Sequence, residues 1–354
     1  MHLRALHLRN FRVYEDALFE FSPNFNVIRG PNARGKTSLL EAVYFLMTGR
    51  SFRTAQLSEL IRQGASFFAL DAVFIKHGIE QKLRAYYSAK ERKITYNTTS
   101  YPSFTSLLGL LQGVVVHPDD AIIVKGAPHS RRHLLDLQLA QVDPLYIHHL
   151  TRYDRAMKQR NHLLRAKITT TIDSWEYEMG NAAAYIVHQR ERVVKDLQRL
   201  GQLQYDRIAG SGESFSLCYK AHGAGDHIHQ DKNELRRMYC DQYARHRRRE
   251  MDLGATLTGP HKDDMEISLK NKEARSFASE GQQRSCVVAL RLAEWERLRE
   301  GMTELPLMLV DDLGMSLDEG RRGHLVEHFR SLGQVFVTTT EQRQLLENEH
   351  VIQM

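Results

Sequence analysis

The sequence contains the segment Gly30-Pro31-Asn32-Ala33-Arg34-Gly35-Lys36-Thr37, which fits the pattern G-x-x-x-x-G-K-[ST] of a phosphate-binding loop. A short apolar run, residues 25–28, leads into the loop, and residues 38–46 behind it have the apolar spacing of a helix. The two glycines let the backbone curl so that successive N–H groups face one anion, and the helix N-terminus adds its dipole. The sequence therefore predicts a strand–loop–helix unit that binds a nucleoside triphosphate.

Two side chains of this unit have distinct predicted roles. Lys36 is expected to reach the β- and γ-phosphates, and Thr37 is expected to offer its hydroxyl to Mg²⁺. The loop thus predicts a bound nucleoside triphosphate with Mg²⁺. The residues expected to contact the nucleotide here are Gly30, Pro31, Asn32, Ala33, Arg34, Gly35, Lys36, Thr37 and Ser38.

A second apolar strand, residues 305–310, ends in the carboxylates Asp311 and Asp312. Asp311, at the strand tip, is placed to hold Mg²⁺ directly or through water, and Asp312 is placed to polarise the attacking water. An apolar strand that ends in two aspartates is common on its own, so this assignment depends on its pairing with the loop. We expect Lys36, Asp311 and Asp312 to be the catalytic residues.

A third element is the turn Ser279-Glu280-Gly281-Gln282, which opens a helical stretch that reaches Trp295. Such a turn at a helix start is a further anion site, because the free N–H groups and the helix dipole both favour negative charge. The interval between Gln282 and Asp311 leaves room for one helix, a turn and a strand.

In this order the loop, the Ser-x-Gly-Gln turn and the Asp-Asp strand resemble an ABC-type ATPase. Within that group the chain resembles the RecF family over nearly its whole length. The blocks that carry the resemblance are residues 10–12, 35–42, 49–53, 117–120, 124–128, 131–136, 158–161, 258–264, 278–284 and 334–339. Many short blocks in one order are more specific than any one of them.

The resemblance implies an α/β fold: an ABC-type P-loop ATPase head with a mixed sheet, and a helical insertion lobe. Residues 1–129 and 247–354 would form the head, and residues 130–246 the insertion. In this family the signature of one subunit caps the γ-phosphate held by the other. Ser279, Glu280, Gly281 and Gln282 would therefore cap the partner's ATP, in a homodimer that forms only with ATP.

The resemblance also implies a function in DNA replication and repair. The chain would be a clamp that dimerises with ATP, binds duplex DNA at gaps or junctions, and helps to load RecA together with RecR and RecO. It would be a weak DNA-dependent ATPase that uses hydrolysis as a conformational switch. Thr339 stands where transporter-type ABC ATPases have a switch histidine, which fits a slow hydrolase.

The chain departs from the family pattern at two places. Ala33 stands where a glycine is usual, so the loop is expected to keep its form only if this position avoids positive φ. After Asp312, Met315 and Ser316 replace the usual Ser-Glu pair, although Asp318 remains. These changes put some contacts between subunits in doubt.

Four further residues have open roles near the nucleotide. The resemblance implies that Arg12 and Arg53 approach the nucleotide, and the alternative is that both are solvated surface arginines. Gln112 precedes the apolar run 114–116 in the way that the residue sensing water and Mg²⁺ does in ABC ATPases. Asp119 is the alternative to Gln112 in that role.

Basic residues are the candidates for DNA contact. The formal net charge is +6 and the pI is near 9.1, as in many nucleic-acid-binding proteins. Arg245, Arg247, Arg248 and Arg249 form the richest run, for which a solvated helix face is the alternative. Weaker candidates are Arg131, Arg132, Lys158 and Arg160. No aromatic platform or recognition motif is present, so base-specific reading is not expected.

Other patterns concern the architecture. Residues 67–75 and 81–87 alternate as strands do, residues 130–246 have helical spacing, and residues 210–231 are predicted to be a loop. The motif Gly259-Pro260-His261-Lys262-Asp263-Asp264 resembles a metal site, but a structural turn is the favoured interpretation because no further ligands lie at metal spacing.

The composition excludes several classes of protein. No apolar run approaches the ~20 residues that span a bilayer, the start lacks a secretory signal, and three distant cysteines predict reduced thiols in a cytoplasmic protein. Three other functions remain as alternatives. A transporter ATPase subunit would need a histidine at 339, an SMC-like structural DNA clamp would need long heptad arms, and a P-loop kinase would not explain residues 279–282.

Overall fold

The computed structural model describes residues 1–209, 212–225, 231–301, 303–312, 319–341 and 344–354. The chain forms two compact units. The first comprises Met1–Ala121, Leu203–Gly212 and Ser279–Met354, and the second comprises Ile122–Gln202 and Glu213–Ala278. The predicted limits of the head and the insertion differ from these limits, and as boundaries of functional domains they stay predictions. Met315 and Ser316, where the chain departs from the family pattern, and Asp318, which keeps it, lie outside the described residues.

The strands of the first unit form two sheets. In chain order they are β1 His2–Phe11, β2 Tyr14–Glu20, β3 Phe25–Arg29, β4 Phe67–Lys76, β5 Ile79–Ser88, β6 Arg92–Tyr96, β7 Thr99–Tyr101 and β8 Gly113–Val116. The second unit contributes β9 Phe215–Lys220, β10 Asp264–Leu269 and β11 Lys272–Glu273. The first unit then adds β12 Leu307–Val310, β13 Val335–Thr339 and β14 His350–Gln353.

The helices of the first unit are α1 Lys36–Thr48, α8 Glu280–Glu300 and α9 Glu319–Phe329. Those of the second unit are α3 Pro128–Ala140, α4 Pro144–Ala166, α6 Lys232–Leu253 and α7 Ala274–Phe277, with α2 Ala121–Lys125 from its second residue on, and the long α5 Ile172–Ala209 starts there. In the described part of the chain no helix combines the length and the apolar character that crossing a bilayer requires.

The parallel sheet of the first unit has the strand order β14-β3-β13-β12-β8. Every residue of β3, β8, β12 and β13 is buried, as expected for parallel strands that are covered on both faces. The carboxyl ends of β3, β12 and β13 lie at one edge of this sheet, because the strands pair in parallel. That edge carries the residues that the loop and Asp-Asp motifs single out.

An antiparallel sheet, with the order β2-β1-β4-β5-β6-β7, completes the first unit. Its strands confirm the alternation predicted for residues 67–75 and 81–87. Helix α1 is buried from Ser38 to Thr48 and contacts both β1 and β13. This all-round burial explains why apolar residues occur around the whole helix and not only along one stripe.

The second unit is mainly helical, as predicted for residues 130–246, but residues 210–231 are not simply a loop. Residues 215–220 form β9, which pairs in antiparallel fashion with β10. Phe215, Leu217 and Tyr219 alternate along β9 and are buried, which is the period of a half-buried strand. The glycines, serines and histidines around β9 obscured this pattern.

The motif of residues 259–264 is structural. His261 Nδ1 is hydrogen-bonded to Tyr153 Oη at 2.7 Å, and its Nε2 is hydrogen-bonded to the Thr256 carbonyl at 3.1 Å. Asp263 is fully buried, and its carboxylate pairs with Arg190 at 3.3 Å. Among the described residues no cluster of three or more His, Cys, Asp or Glu side chains forms a metal site, which favours the interpretation as a turn.

Candidate nucleotide-binding site

The loop at residues 30–37 connects the end of β3 to the start of α1, as its sequence predicts. Gly35 precedes the helix with φ 100°, in the left-handed region that glycine adopts most readily. A Cβ at this position would lie 2.7 Å from Tyr14 Oη, and that hydroxyl donates to the Gly35 carbonyl at 3.0 Å. Tyr14 on β2 therefore holds the loop through this hydrogen bond, a role that the sequence did not reveal.

The Lys36 side chain folds back over the start of the loop. Its ammonium Nζ donates to the carbonyl oxygens of Gly30 and Pro31, both at 2.7 Å. The first turn of α1 contains no acidic residue of its own, and the positive end of this helix is directed at the loop. A cation and a helix N-terminus thus act on the same small volume.

Ala33 overturns one expectation. It adopts φ 65°, although an L-residue with a Cβ is disfavoured there, and the loop nonetheless keeps its form. The expectation that this position must avoid positive φ is therefore wrong. The loop tolerates the backbone strain of alanine where glycine would have none.

The second motif meets the first at the carboxyl edge of the parallel sheet. Asp311 follows β12 and is 8% exposed. Thr37 Oγ1 donates to Asp311 Oδ1 at 2.9 Å. A hydroxyl and a carboxylate are the hard oxygen ligands that Mg²⁺ prefers, so this donor set fits the predicted metal.

These residues surround one cavity of about 510 Å³, within the range of small-molecule sites. The predicted residues that line it are Arg12, Asn32, Ala33, Gly35, Lys36, Thr37, Ser38, Arg53, Asp311 and Asp312. Further lining comes from Val13, Glu59, Ile61, Thr338, Thr339 and Thr340. Gly30, Pro31 and Arg34 do not line the cavity. Gly30 and Pro31 instead accept from Lys36, and Arg34 is exposed.

Arg12 and Arg53 share a buried partner that the sequence did not reveal. Glu41 on α1 is fully buried, and Arg12 binds both of its carboxylate oxygens, at 2.8 and 2.7 Å. Arg53 Nη1 lies 3.5 Å from the same carboxylate, and the Ser51 hydroxyl also donates to it. Arg12 is therefore a fixed part of the cavity wall and not a solvated surface arginine, because a buried carboxylate is stable only with such partners.

Gln112 does not reach this site. It precedes β8, which pairs in register with β12 from Gly113–Leu307 to Val116–Val310. About four residues of strand at ~3.3 Å each therefore separate it from the edge where Asp311 lies. The prediction of Gln112 as a metal ligand is wrong, because it sits at the amino end of the sheet. Asp119 lies beyond the carboxyl end of β8 and is exposed, and its role stays a prediction.

The neighbour of Asp119 anchors α8. Arg291 on that helix donates to the carboxylate of Asp120 at 3.0 and 2.5 Å. Burial alone would raise the pKa of Asp120, but Arg291 and His117 lower it to about 2. Helix α8, which begins at the Ser-x-Gly-Gln turn, is thus tied to the carboxyl end of β8.

The Ser-x-Gly-Gln turn forms the predicted helix start. Ser279 Oγ accepts from the Gln282 N–H at 3.3 Å, and Gln282 Oε1 accepts from the Ser279 N–H at 2.9 Å, a capping box. Ser279, Glu280 and Gly281 are exposed, and they do not line the cavity of the same chain. A Cβ at Gly281 would meet no atom within 4 Å, so nothing inside the described part of the chain requires glycine there.

The arginines proposed for DNA contact divide into two groups. Arg245, Arg248 and Arg249 are exposed on α6. Arg247 instead pairs with Glu176 and Asp173, each at 2.5 Å, and the hydrogen bonds that it donates to the Glu176 carboxylate raise its pKa. The structure therefore contradicts the prediction for Arg247, whose charge is already neutralised within the protein.

The weaker DNA candidates divide in the same way. Arg131 is buried and paired with Asp264 at 2.7 Å, and Arg160 is fully buried and paired with Glu176 and Glu250. Arg132 donates to the Asp263 carbonyl at 2.6 Å. Lys158 is exposed and alone in this group remains a surface candidate.

Comparison with known proteins places the chain in a family. Residues 2–354 match the model of the RecF/RecN/SMC N terminal domain. The chain is 51% identical to the DNA replication and repair protein RecF of Protochlamydia amoebophila, over 96% of this chain and 94% of that protein. It is 36% identical to the protein of that name from Symbiobacterium thermophilum, over 99% and 94%.

Solved structures of similar fold include a protein with the same name as these sequence relatives. The structure of the recombination mediator protein RecF-ATP in the RecFOR pathway superposes with a TM-score of 0.90 at 26% identity, over 97% of this chain and 93% of that one. The Smc head domain of Pyrococcus furiosus has a TM-score of 0.56 at 16% identity over 96% and 90%, which is a likeness of fold. The chain therefore belongs to the RecF family of DNA replication and repair proteins.

Proposed function

We propose that this chain binds ATP with Mg²⁺ in the cavity at Lys36 and acts in DNA replication and repair as a clamp that closes with ATP. One observation supports the proposal most strongly: Lys36, Thr37, Asp311 and Asp312 line a single cavity although they come from distant parts of the sequence. A cation, a helix N-terminus and paired carboxylates are the components that phosphoryl-transfer sites need.

The triphosphate would lie along the loop. The Lys36 ammonium would exchange the carbonyls of Gly30 and Pro31 for phosphate oxygens, and the backbone N–H groups at the start of α1 would face the same anion. Thr37 and Asp311 would hold Mg²⁺, which neutralises charge that develops on the phosphates. Asp312 lines the cavity beside Asp311 and would orient a water molecule and accept its proton.

The apolar residues of the cavity suggest where the base would lie. Val13 is 57% exposed and lines the cavity together with Ile61. Their segments are joined by a hydrogen bond from the Arg12 N–H to the Leu60 carbonyl at 2.8 Å. A base that covers Val13 and Ile61 would remove apolar surface from water and leave the phosphates to the polar side of the cavity.

The dimer is the second part of the proposal. Gly281 is exposed, and no neighbour among the described residues explains the lack of a side chain. A glycine at a helix start is useful where another molecule must approach the backbone closely. We infer that Ser279, Glu280, Gly281 and Gln282 face the triphosphate held by a second copy, so that two ATP molecules lie between two heads.

DNA is the proposed macromolecular ligand. Arg245, Arg248 and Arg249 on α6, with Lys158 on α4, are exposed cations that suit a phosphate backbone. The proposal extends to gapped or junction duplex as the preferred DNA, to RecR and RecO as partners that help to load RecA, and to the cytoplasm as the location. The activity would be weak DNA-dependent ATP hydrolysis, used to reopen the clamp.

The rival functions lack such support. A transporter ATPase subunit would have a histidine where Thr339 ends β13. The likeness to the Smc head is one of fold, and α4 and α5, of 23 and 38 residues, are short for the arms of a structural clamp.

Equilibrium titration of ATP with Mg²⁺ against the parent chain and Lys36→Ala tests the site. We expect the substitution to abolish measurable binding, because it removes the cation at the phosphates. Lys90→Ala, in an exposed turn, is the matched control and should bind as the parent does. Unchanged affinity in Lys36→Ala would refute the proposed site.

A further inference from the structure

Thr338, near the carboxyl end of β13, carries a hydroxyl at a position that is otherwise apolar. The residue is 1% exposed and follows the buried run from Val335 to Val337. Valine has nearly the same shape and is common in such strands. A buried hydroxyl is unfavourable unless it forms hydrogen bonds, so the bonds of Thr338 indicate what the hydroxyl does.

The hydroxyl of Thr338 contacts both carboxylate residues of the cavity. Oγ1 donates to Asp311 Oδ1 at 2.8 Å and accepts from the backbone N–H of Asp312 at 2.7 Å. A hydroxyl has one proton to donate and two lone pairs that accept, so both bonds form at the same time. Thr338 thereby joins the end of β13 to the chain that leaves β12.

The bond to Asp312 stabilises an unusual backbone turn. Asp312 has φ 55°, in the left-handed region, which costs an L-residue conformational energy. Such a conformation persists only where its surroundings hold it. The Thr338 hydroxyl accepts the N–H of this residue, at the point where the chain turns beside the cavity that Asp312 lines.

The bond to Asp311 fixes the orientation of that carboxylate. Its Oδ1 accepts from Thr37 at 2.9 Å and from Thr338 at 2.8 Å. Because one donor lies on α1 and the other on β13, the carboxylate has little freedom to rotate. A ligand whose orientation is fixed by a second residue binds its metal more tightly than a free one.

We propose that Thr338 is a positioning residue. It orients the Asp311 carboxylate for binding Mg²⁺ and holds the backbone turn that places Asp312 beside the attacking water. This inference rests on the proposed ATP site. Thr338 acts through the two aspartates, so its loss affects metal dependence and turnover and leaves the loop at Lys36 intact. ATP affinity without a divalent cation is therefore unchanged when the hydroxyl is removed.

The test compares Thr338→Val, which removes the hydroxyl, with Thr338→Ser, which keeps it. ATP binding is titrated in EDTA and across a Mg²⁺ series, and hydrolysis is measured at saturating ATP. Thr338→Val raises the Mg²⁺ midpoint and lowers kcat, each by about tenfold or more, the effect of losing a hydrogen bond to a charged group. Thr338→Ser keeps both values within roughly threefold of the parent.

Two controls separate the possible failures. Thr258→Val removes another buried threonine hydroxyl, 3% exposed in the second unit, and should change the melting temperature without changing the Mg²⁺ midpoint. Thr338→Ala removes the same hydroxyl in a smaller side chain and is measured if the valine variant does not fold. A Mg²⁺ midpoint and kcat within about twofold of the parent in the folded variant overturn the proposal. If Lys36→Ala also keeps full ATP affinity, the ATP site itself is at fault.

Discussion

Thr37 and Asp311 are separated by 274 positions in the sequence, yet the Thr37 hydroxyl donates to the Asp311 carboxylate at 2.9 Å. The bond crosses from the start of α1 to the end of β12, the two elements that carry the phosphate loop and the Asp-Asp motif. It brings two oxygen ligands together at the carboxyl edge of the parallel sheet, where ligands bind in open α/β sheets.

The first prediction concerns this pair. Asp311→Asn should weaken ATP binding in the presence of Mg²⁺ by about tenfold or more, because an amide is a poor ligand for a hard cation. ATP binding in EDTA should stay close to that of the parent. Isothermal titration with and without Mg²⁺ checks this, and equal losses in both conditions would mean that Asp311 acts on the fold and not on the metal.

The second prediction concerns Ala33. Ala33→Gly should raise the free energy of unfolding by about 0.5–1 kcal/mol, because glycine has no Cβ penalty at φ 65°. Ala244→Gly, at an exposed position within helix α6, should lower it by about 1 kcal/mol. Urea unfolding of both variants measures the two values. A loss of stability in Ala33→Gly would show that the strain is absent in solution.

The third prediction concerns α6 and DNA. Replacing Arg245, Arg248 and Arg249 by alanine should reduce the slope of log affinity against log salt by about 3, since each lost phosphate contact changes it by ~0.9. Arg247→Ala should lower the melting temperature without changing the slope, because its charge is held by Glu176 and Asp173. Binding of both variants to gapped duplex over a salt series measures the two slopes. An unchanged slope in the triple variant would place the DNA surface elsewhere.

The fourth prediction concerns pH. Burial lowers the pKa of His261 from 6.5 to about 4, so between these values the unfolded chain binds a proton that the folded chain does not. Its contribution to stability is therefore fully present above pH 6.5 and is lost as pH falls towards 4. His261→Gln should flatten the decline of melting temperature between pH 6.5 and 4.5. An equally steep decline would assign that titration to other groups.

Local motifs allowed much of the site to be predicted from the sequence. Lys36, Thr37 and Asp311 lie within short patterns whose geometry follows from a loop, a helix start and a strand end. Glu41 could not be found in this way, because it sits in an apolar helix and its partners Arg12 and Arg53 come from other segments. Arg247 was misassigned for the same reason, since Glu176 and Asp173 belong to another helix. Strand β9 was missed because its six residues stand among turn-forming neighbours.

In the proposed dimer each triphosphate lies between two subunits, with Lys36 of one facing Gly281 of the other. Sedimentation velocity of Asp312→Asn, in which hydrolysis should be slow, shows whether such a dimer forms. With ATP and Mg²⁺ we expect a dimer, without nucleotide a monomer, and with Gly281→Trp added a monomer that still binds ATP, since Gly281 does not line the cavity of its own chain and a Cβ there would meet none of the described residues within 4 Å. A monomer with ATP in the Asp312→Asn variant, or a dimer that Gly281→Trp leaves intact, would rule out a triphosphate shared between two subunits.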